Sequence, residues 1–205
     1  MTEFRSRNFQ ALPIVIKNLL IINTLVYLAQ FTLDSSFEIT MKFALFPLNS
    51  ELFKPYQLFT YMFLHGGWGH LIFNMFALWM FGTQLENFWG PKRFIIFYLI
   101  CGVAAGVAEL LFMAPVGYAV GASGAIMGVF AAFGYLFPNN LLIFFPIPIP
   151  IKAKWAVIGL MALDLFGGLS NSASDNVAHF AHLGGAVTGI ILVWIWNKSN
   201  RKTFY

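Results

Sequence analysis

Residues 178–197 read AHFAHLGGAVTGIILVWIWN. The stretch contains no Asp, Glu, Lys or Arg. As an α-helix its twenty residues rise ~30 Å, the thickness of a bilayer's hydrocarbon core. In a soluble domain such a helix would need cover on every side, and the rest of the chain cannot supply the solvated surface that would surround it. Of its 205 residues, 59% are hydrophobic and 10% charged, where soluble domains carry roughly 25% charged residues. Mean hydropathy is +0.74. High apolar content with low net charge also excludes disorder. The single cysteine, Cys101, excludes an internal disulfide framework and a cysteine-based metal site. The formal net charge of +4 comes without a basic patch interleaved with aromatics. No nucleic-acid partner, metal or cofactor is therefore expected, and the charge is read by position relative to a lipid bilayer.

Outward from this segment the chain divides into further apolar runs at about 13–33, 69–86, 92–113, 123–137 and 154–168. The expectation is an all-α polytopic membrane protein, one domain over 1–205 with six spans and a short cytoplasmic amino terminus, 1–12. Gly66-Gly67, Gly90-Pro91 and Pro138-Asn139-Asn140 mark the breaks. The fourth run is short, its fifteen residues rising only ~22 Å. Pro146-Ile147-Pro148-Ile149-Pro150 cannot be helical and reads as an extended connector. A Ser/Asn/Asp loop fills 170–176. Residues 34–68, rich in Phe, Leu and Tyr, read as a long loop at the membrane interface. Arg5 and Arg7 resemble a signal-peptide flank, but the long apolar stretch lacks an Ala-x-Ala site and reads as retained. Ten of the twelve Lys and Arg residues fall on the side of the termini, with Lys42 and Lys54 opposite. Both termini are then cytoplasmic, and a bacterial inner membrane is the expected location. Trp68, Trp89, Trp155, Trp194 and Trp196 stand near span ends, where interfacial belts are found.

Polar side chains at membrane depth are costly and invite a functional question. His70 and Asn74 are four apart on one face of the second span. Ser123 opens the fourth span within Gly121-Ala122-Ser123-Gly124, and His182 lies early in the sixth within Ala181-His182-Leu183-Gly184-Gly185. These three spans run in one direction, so their first turns share a depth. Singly, each residue has a commoner packing or back-bonding role. Together at one level they supply what serine-based acyl transfer needs: a hydroxyl, an imidazole to take its proton, and donors for an oxyanion. A serine at a helix start also meets unpaired N–H groups. Gly124 with Gly128, and Gly185 with Gly189, are small-xxx-small pairs that let two helix backbones approach closely. At 100° per residue His182 lies about 20° from Gly189, beside that stripe, and His179 about 80° away towards water. His65 is read as organising the loop end by hydrogen bonding. Glu86 is read as pairing with Lys92 or Arg93 or capping locally, and Asp164 as making a structural hydrogen bond. No carboxylate stands as an obvious third member beside the serine and histidine; Asp175 lies seven residues before His182.

Phe63-Leu64-His65, His70-Leu71-Ile72-Phe73-Asn74, the Gly121–Gly124 tetrapeptide, and Ala181–Gly185 with Gly189 resemble, in this order, the rhomboid intramembrane serine proteases. The resemblance implies a six-span bundle and a Ser–His dyad, with Ser123 as nucleophile and His182 as general base. It further implies an oxyanion hole of His70, Asn74, Gly121, Ala122 and the Ser123 backbone N–H. Substrates would be single-span membrane proteins, cut in or next to their membrane helix after lateral entry past span five. The first long loop lacks the Trp-Arg pair of many members, and Pro55-Tyr56-Gln57 occupies the comparable approach. The short amino terminus leaves no room for the extra cytoplasmic domain of some relatives, and no seventh span is expected. Two rivals stand beside catalysis: an inactive relative that binds membrane helices, and a small channel or transporter. A channel would need polar residues at several depths, whereas here they concentrate at one.

The charge distribution makes a testable statement about orientation. With Cys101 replaced, cysteines introduced at Ser36 and Ser50 are expected to react with an impermeant thiol reagent from outside the cell. Labelling of both only from the cytoplasmic face would reverse the topology.

Overall fold

The computed structural model describes residues 9–114, 117–144, 147–170 and 177–201. Arg5, Arg7, Pro146, Lys202, Asp175 and the rest of 171–176 lie outside the described residues. Helix α1 (Ile14–Phe37) is followed by a single short helix, α2 (Ile39–Phe43). The turn between them uses Glu38 in the left-handed region, φ 52°. Asp34 fixes it from both ends: its carbonyl accepts from Glu38 N–H (2.8 Å) and its Oδ1 from Thr40 N–H (2.6 Å).

The long loop is folded around Gln57, which is fully buried. Its Oε1 accepts from Lys54 N–H (3.1 Å) and Phe46 N–H (3.4 Å), and its Nε2 donates to the carbonyls of Leu52 (2.9 Å) and Lys42 (3.2 Å). One amide thus satisfies four backbone groups in a segment with little ladder of its own. Helix α3 (Gln57–Thr60) and a 3-10 turn (Tyr61–Phe63) complete it. Leu45 and Ala119 exchange backbone hydrogen bonds (3.0 and 2.8 Å), tying the loop to the strand-like approach before Ser123.

The second apolar run is helical throughout but not uniform: α4 (Trp68–Ala77), a π turn (Leu78–Gly82) and α5 (Thr83–Trp89). Gly82 sits where a Cβ would meet Ile16 Cδ1 at 2.5 Å and Phe94 at 3.1 Å, so α1 and the next helix close in there. Helix α6 (Pro91–Phe112) starts with Pro at its first position, where the missing N–H has no acceptor to lose. Helix α7 (Ser123–Leu136) is 14 residues long and buried along almost its whole length. Helices α8 (Ala153–Ser170) and α9 (His179–Arg201) complete the bundle.

Helices α1, α6, α8 and α9 are long and apolar enough to cross a membrane. Their outward side chains agree: Phe166 on α8, Leu111 on α6 and Phe31 on α1 are 75%, 71% and 65% exposed. Such a surface belongs in lipid, and the protein is an integral membrane protein.

Two expectations are corrected here. The fold is not wholly α: the proline-rich connector forms an antiparallel hairpin, β1 (Leu141–Phe144) with β2 (Ile147–Lys152), in which Leu141 pairs with Lys152. An extended, proline-spaced strand still offers N–H groups at its non-proline residues, enough for a two-stranded ladder. Glu86 pairs with neither Lys92 nor Arg93. Its two oxygens accept from Val15 N–H and Ile16 N–H, each at 2.9 Å, so it caps the start of α1. A carboxylate only 3% exposed gains more from two orphan donors at a positive helix end than from a solvated cation. Trp89 and Trp196 pack on each other (5.6 Å between centroids), with the Arg93 guanidinium 4.6 Å over the Trp196 ring, and so stack within the bundle.

The core is the α6–α7–α9 contact, and bare α-carbons permit it. A Cβ on Gly185 would run into the carbonyl of Gly124, and one on Gly189 would lie 2.5 Å from Gly128 O. The small-xxx-small reading therefore holds, with the two stripes facing each other. Gly185→Ala should destabilise by at least ~1–3 kcal/mol, because the obstruction is backbone and cannot swing aside. Gly159→Ala on α8, where a Cβ meets nothing within 4 Å, should instead be neutral or gain up to ~1 kcal/mol. Unfolding of both variants in detergent checks the contrast; equal effects would overturn the packing argument.

Candidate active site

Gly121 adopts φ +133°, a conformation that turns the chain into α7. A Cβ there would lie 2.8 Å from His70 Cε1, 2.9 Å from His70 Nε2 and 3.5 Å from Ser123 Oγ. Glycine is thus required twice, for its backbone and for the notch it leaves between the histidine and the serine. Its N–H is not free for a ligand, since it donates to Tyr61 O at 2.9 Å. Gly121 therefore shapes the expected oxyanion hole without donating to it. Ala122 is fully buried and its carbonyl accepts from Ile126 N–H (3.0 Å). The start of α7 has no side-chain cap, and the N–H groups of Ser123 and Gly124 have no intrahelical acceptor.

Ser123 Oγ and His182 Nε2 are 2.8 Å apart. The opposite ring nitrogen, His182 Nδ1, lies 2.9 Å from Asp164 Oδ1. An ionised carboxylate only accepts, so Nδ1 bears the proton and the Nε2 lone pair faces the serine hydroxyl. This corrects the expectation that no acid accompanies the pair. Asp164 on α8 was read as merely structural because its contact with α9 depends on helix rotation, which sequence spacing leaves open. His179 was placed towards water, yet its side chain is 15% exposed and its Nδ1 also lies 2.9 Å from Asp164 Oδ1. Helix α9 begins at His179, and its first turn tilts the ring towards α8, where the bare Gly167 admits it.

His70, on the first turn of α4, accepts from Gly66 N–H through Nδ1 (3.2 Å). Its Nε2 then carries the proton and points into the Gly121 notch. Asn74 follows one turn later, 6% exposed, and its Nδ2 has no hydrogen-bond partner. An unpaired buried amide donor costs about 1–3 kcal/mol, a cost retained where a ligand or reacting atom supplies the acceptor.

His65 does not organise the loop as expected. Neither ring nitrogen completes a hydrogen bond of ordinary geometry. Its backbone N–H donates to Gln30 Oε1 (2.9 Å), and its ring meets His70 edge-on at 5.2 Å. Burial, aided by the neighbouring His70 and offset in part by the Phe63 carbonyl, pushes its imidazole down to about 4. His65 is a neutral packing group behind His70. Burial likewise pushes the Tyr61 phenol up, and it remains a neutral donor to Gly102 O at 2.7 Å.

Glu109 went unremarked in the sequence. Its Oε2 accepts from Ala181 N–H at 3.0 Å, capping the first turn of α9 one residue before His182. A lone carboxylate within the apolar run 92–113 was the available signal. Among the described residues no three His, Cys, Asp or Glu side chains are grouped as a metal ion would require.

The family profile described as the Rhomboid domain matches residues 52–199, well over half of the chain. Rhomboid protein 1, mitochondrial, of Saccharomyces cerevisiae is 35% identical over 68% of this chain and 41% of its own length. Rhomboid-like protein 11, chloroplastic, of Arabidopsis thaliana is 35% identical over 70% of this chain and 53% of its own. The rhomboid protease GluP of Bacillus subtilis is 34% identical over 65% of this chain and 24% of its own. The chain thus spans about half or less of the length of these relatives. The matched region contains α4, α7 and α9 with all four polar residues of the motif set, and the chain belongs to the rhomboid family.

Proposed function

We propose that this chain is a serine endopeptidase that hydrolyses a peptide bond in or beside the membrane helix of another protein. The observation that supports it is the 2.8 Å contact of Ser123 Oγ with His182 Nε2, next to unsatisfied donors at the same level. His182 Nε2 accepts the hydroxyl proton as Oγ bonds to the scissile carbonyl carbon. The oxyanion forms within reach of His70 Nε2–H, Asn74 Nδ2 and the Ser123 N–H. His182 then gives its proton to the departing amine, and the C–N bond breaks to leave an acyl-enzyme. Water, deprotonated by His182, repeats the addition and frees the serine.

The arrangement we infer has six spans, the α4–α5 segment and the short α7 being the two beyond the four long helices. Both termini are cytoplasmic, in a bacterial inner membrane, and the site opens outward. A helical substrate must unwind to expose its carbonyl, since helical backbone is hydrogen-bonded and shielded. Single-span proteins entering between α8 and its neighbours are the substrate class that suits a site built from the first turns of α4, α7 and α9.

Cleavage of a model single-span substrate in liposomes is the test. Wild type should cut it, while Ser123→Ala and His182→Ala should not. A folded wild type that binds the substrate without cutting would instead make the chain a helix-binding relative. Asn74→Ala should keep the fold and lower kcat by roughly 10²–10³, towards the lower figure if the remaining donors compensate. Unchanged kcat and KM would remove Asn74 from the oxyanion site.

A further inference from the structure

We infer that Asp164 is a positioning residue for the general base, and that His179 holds it in place. The inference rests on the protease reading above and adds a third and fourth member to the pair that the family resemblance implies. One carboxylate oxygen, Asp164 Oδ1, lies 2.9 Å from Nδ1 of His182 and 2.9 Å from Nδ1 of His179. With Ser123 Oγ 2.8 Å from His182 Nε2, an unbroken chain runs from α7 through α9 to α8 and back to the first residue of α9.

Each link has a chemical consequence. A free neutral imidazole exchanges its proton between two nitrogens, and only the Nδ1–H form can accept the serine proton at Nε2. Asp164 selects that form. When His182 takes up the second proton, the carboxylate lies beside the imidazolium and stabilises the charge in a site of low polarity. The Asp164 side chain is 11% exposed, and without a fixed orientation its second rotamer would leave His182 unheld. The N–H of His179 to the same oxygen supplies that orientation.

The surrounding residues are arranged for it. Asp164 and Gly167 are three apart on one face of α8. A Cβ on Gly167 would collide with the His179 ring, and one on Gly168 would press on Phe180 at 3.0 Å. Two bare positions therefore let α9 bring both histidines onto one acid. A purely structural hydrogen bond between α8 and α9 needs only one of them, and does not need the one that faces the nucleophile.

The test uses the full chain in liposomes with a fluorogenic single-span substrate, comparing wild type, Asp164→Asn, Asp164→Ala and His179→Ala. An asparagine amide can donate to Nδ1 and push the proton to Nε2, where it blocks acceptance from serine. Asp164→Asn should therefore lower kcat by on the order of 10²–10⁴, leave KM within about twofold, and leave thermal stability near wild type. Added formate should restore part of the rate of Asp164→Ala, and His179→Ala should lose about tenfold or less. Nitrogen-15 spectra of wild type should show His182 protonated at Nδ1, a measurement that holds even if a variant fails to fold. A proton on Nε2, or Asp164→Asn within about threefold of a cleaving wild type, overturns this inference and leaves the protease reading standing. A folded wild type that never cleaves overturns both.

Discussion

Two backbones without side chains between them set the distance on which the site depends. Gly185 abuts the Gly124 carbonyl, and Gly189 lies against Gly128. Their approach places His182, three residues before Gly185, within 2.8 Å of Ser123 at the head of α7. Any Cβ in this seam separates the helices about one turn from the Ser123–His182 contact. In lipid no hydrophobic force pulls two apolar helices together, so close packing has to supply the association. The same contact that holds the bundle together therefore fixes Ser123 against His182.

Around this seam the membrane imposes a second rule: each polar group inside must meet a partner or a purpose. Glu86 and Glu109 obey it by capping α1 and α9. Gln57 obeys it for the long loop. Asp164 joins two histidines. Asn74 Nδ2 is left with no partner, and it lies one turn from His70 on the face that meets Gly121. Other buried polar atoms also lack partners, among them both His65 ring nitrogens, Thr83 Oγ1 and Tyr98 OH. Asn74 differs from them in following His70 by one turn of the same helix, and so in its bearing on the site.

Ser123, His182, His70 and Asn74 could be picked out in the sequence because each sits within the first two turns of a segment whose direction the loop pattern sets. Depth could thus be read without side-chain detail. The glycine stripes were legible for a similar reason, since a spacing of four defines one face whatever the helix packs against. Rotation of one helix about its axis relative to another was not legible, and it hid the role of Asp164. His179 was misplaced because the 100° rule was carried through a residue that only begins its helix. Glu86 went astray by nearness in sequence: Lys92 and Arg93 are its chain neighbours, whereas the uncapped start of α1 is brought to it only by the fold. The proline-rich connector read correctly as extended, but an antiparallel partner upstream could not be inferred from a proline pattern alone.

The shortness of α7 joins these strands of argument. At 14 residues it rises ~21 Å, against ~33 Å for the 22 residues of α6. A helix that begins inside the bundle exposes its first N–H groups where bulk water does not compete for them, and such a start normally demands a capping side chain. None is present at Ala122 or Ser123. The segment leading into α7 is held by other means: Ala119 pairs with Leu45, and Gly121 donates to Tyr61 O. These bonds pin the loop without consuming the donors at the helix start. Had a serine or aspartate side chain capped α7, the helix would be more stable and the N–H of Ser123 would be occupied. The uncapped start leaves that donor available next to the serine hydroxyl, so the stability forgone at the head of α7 is what the proposed oxyanion site would require there.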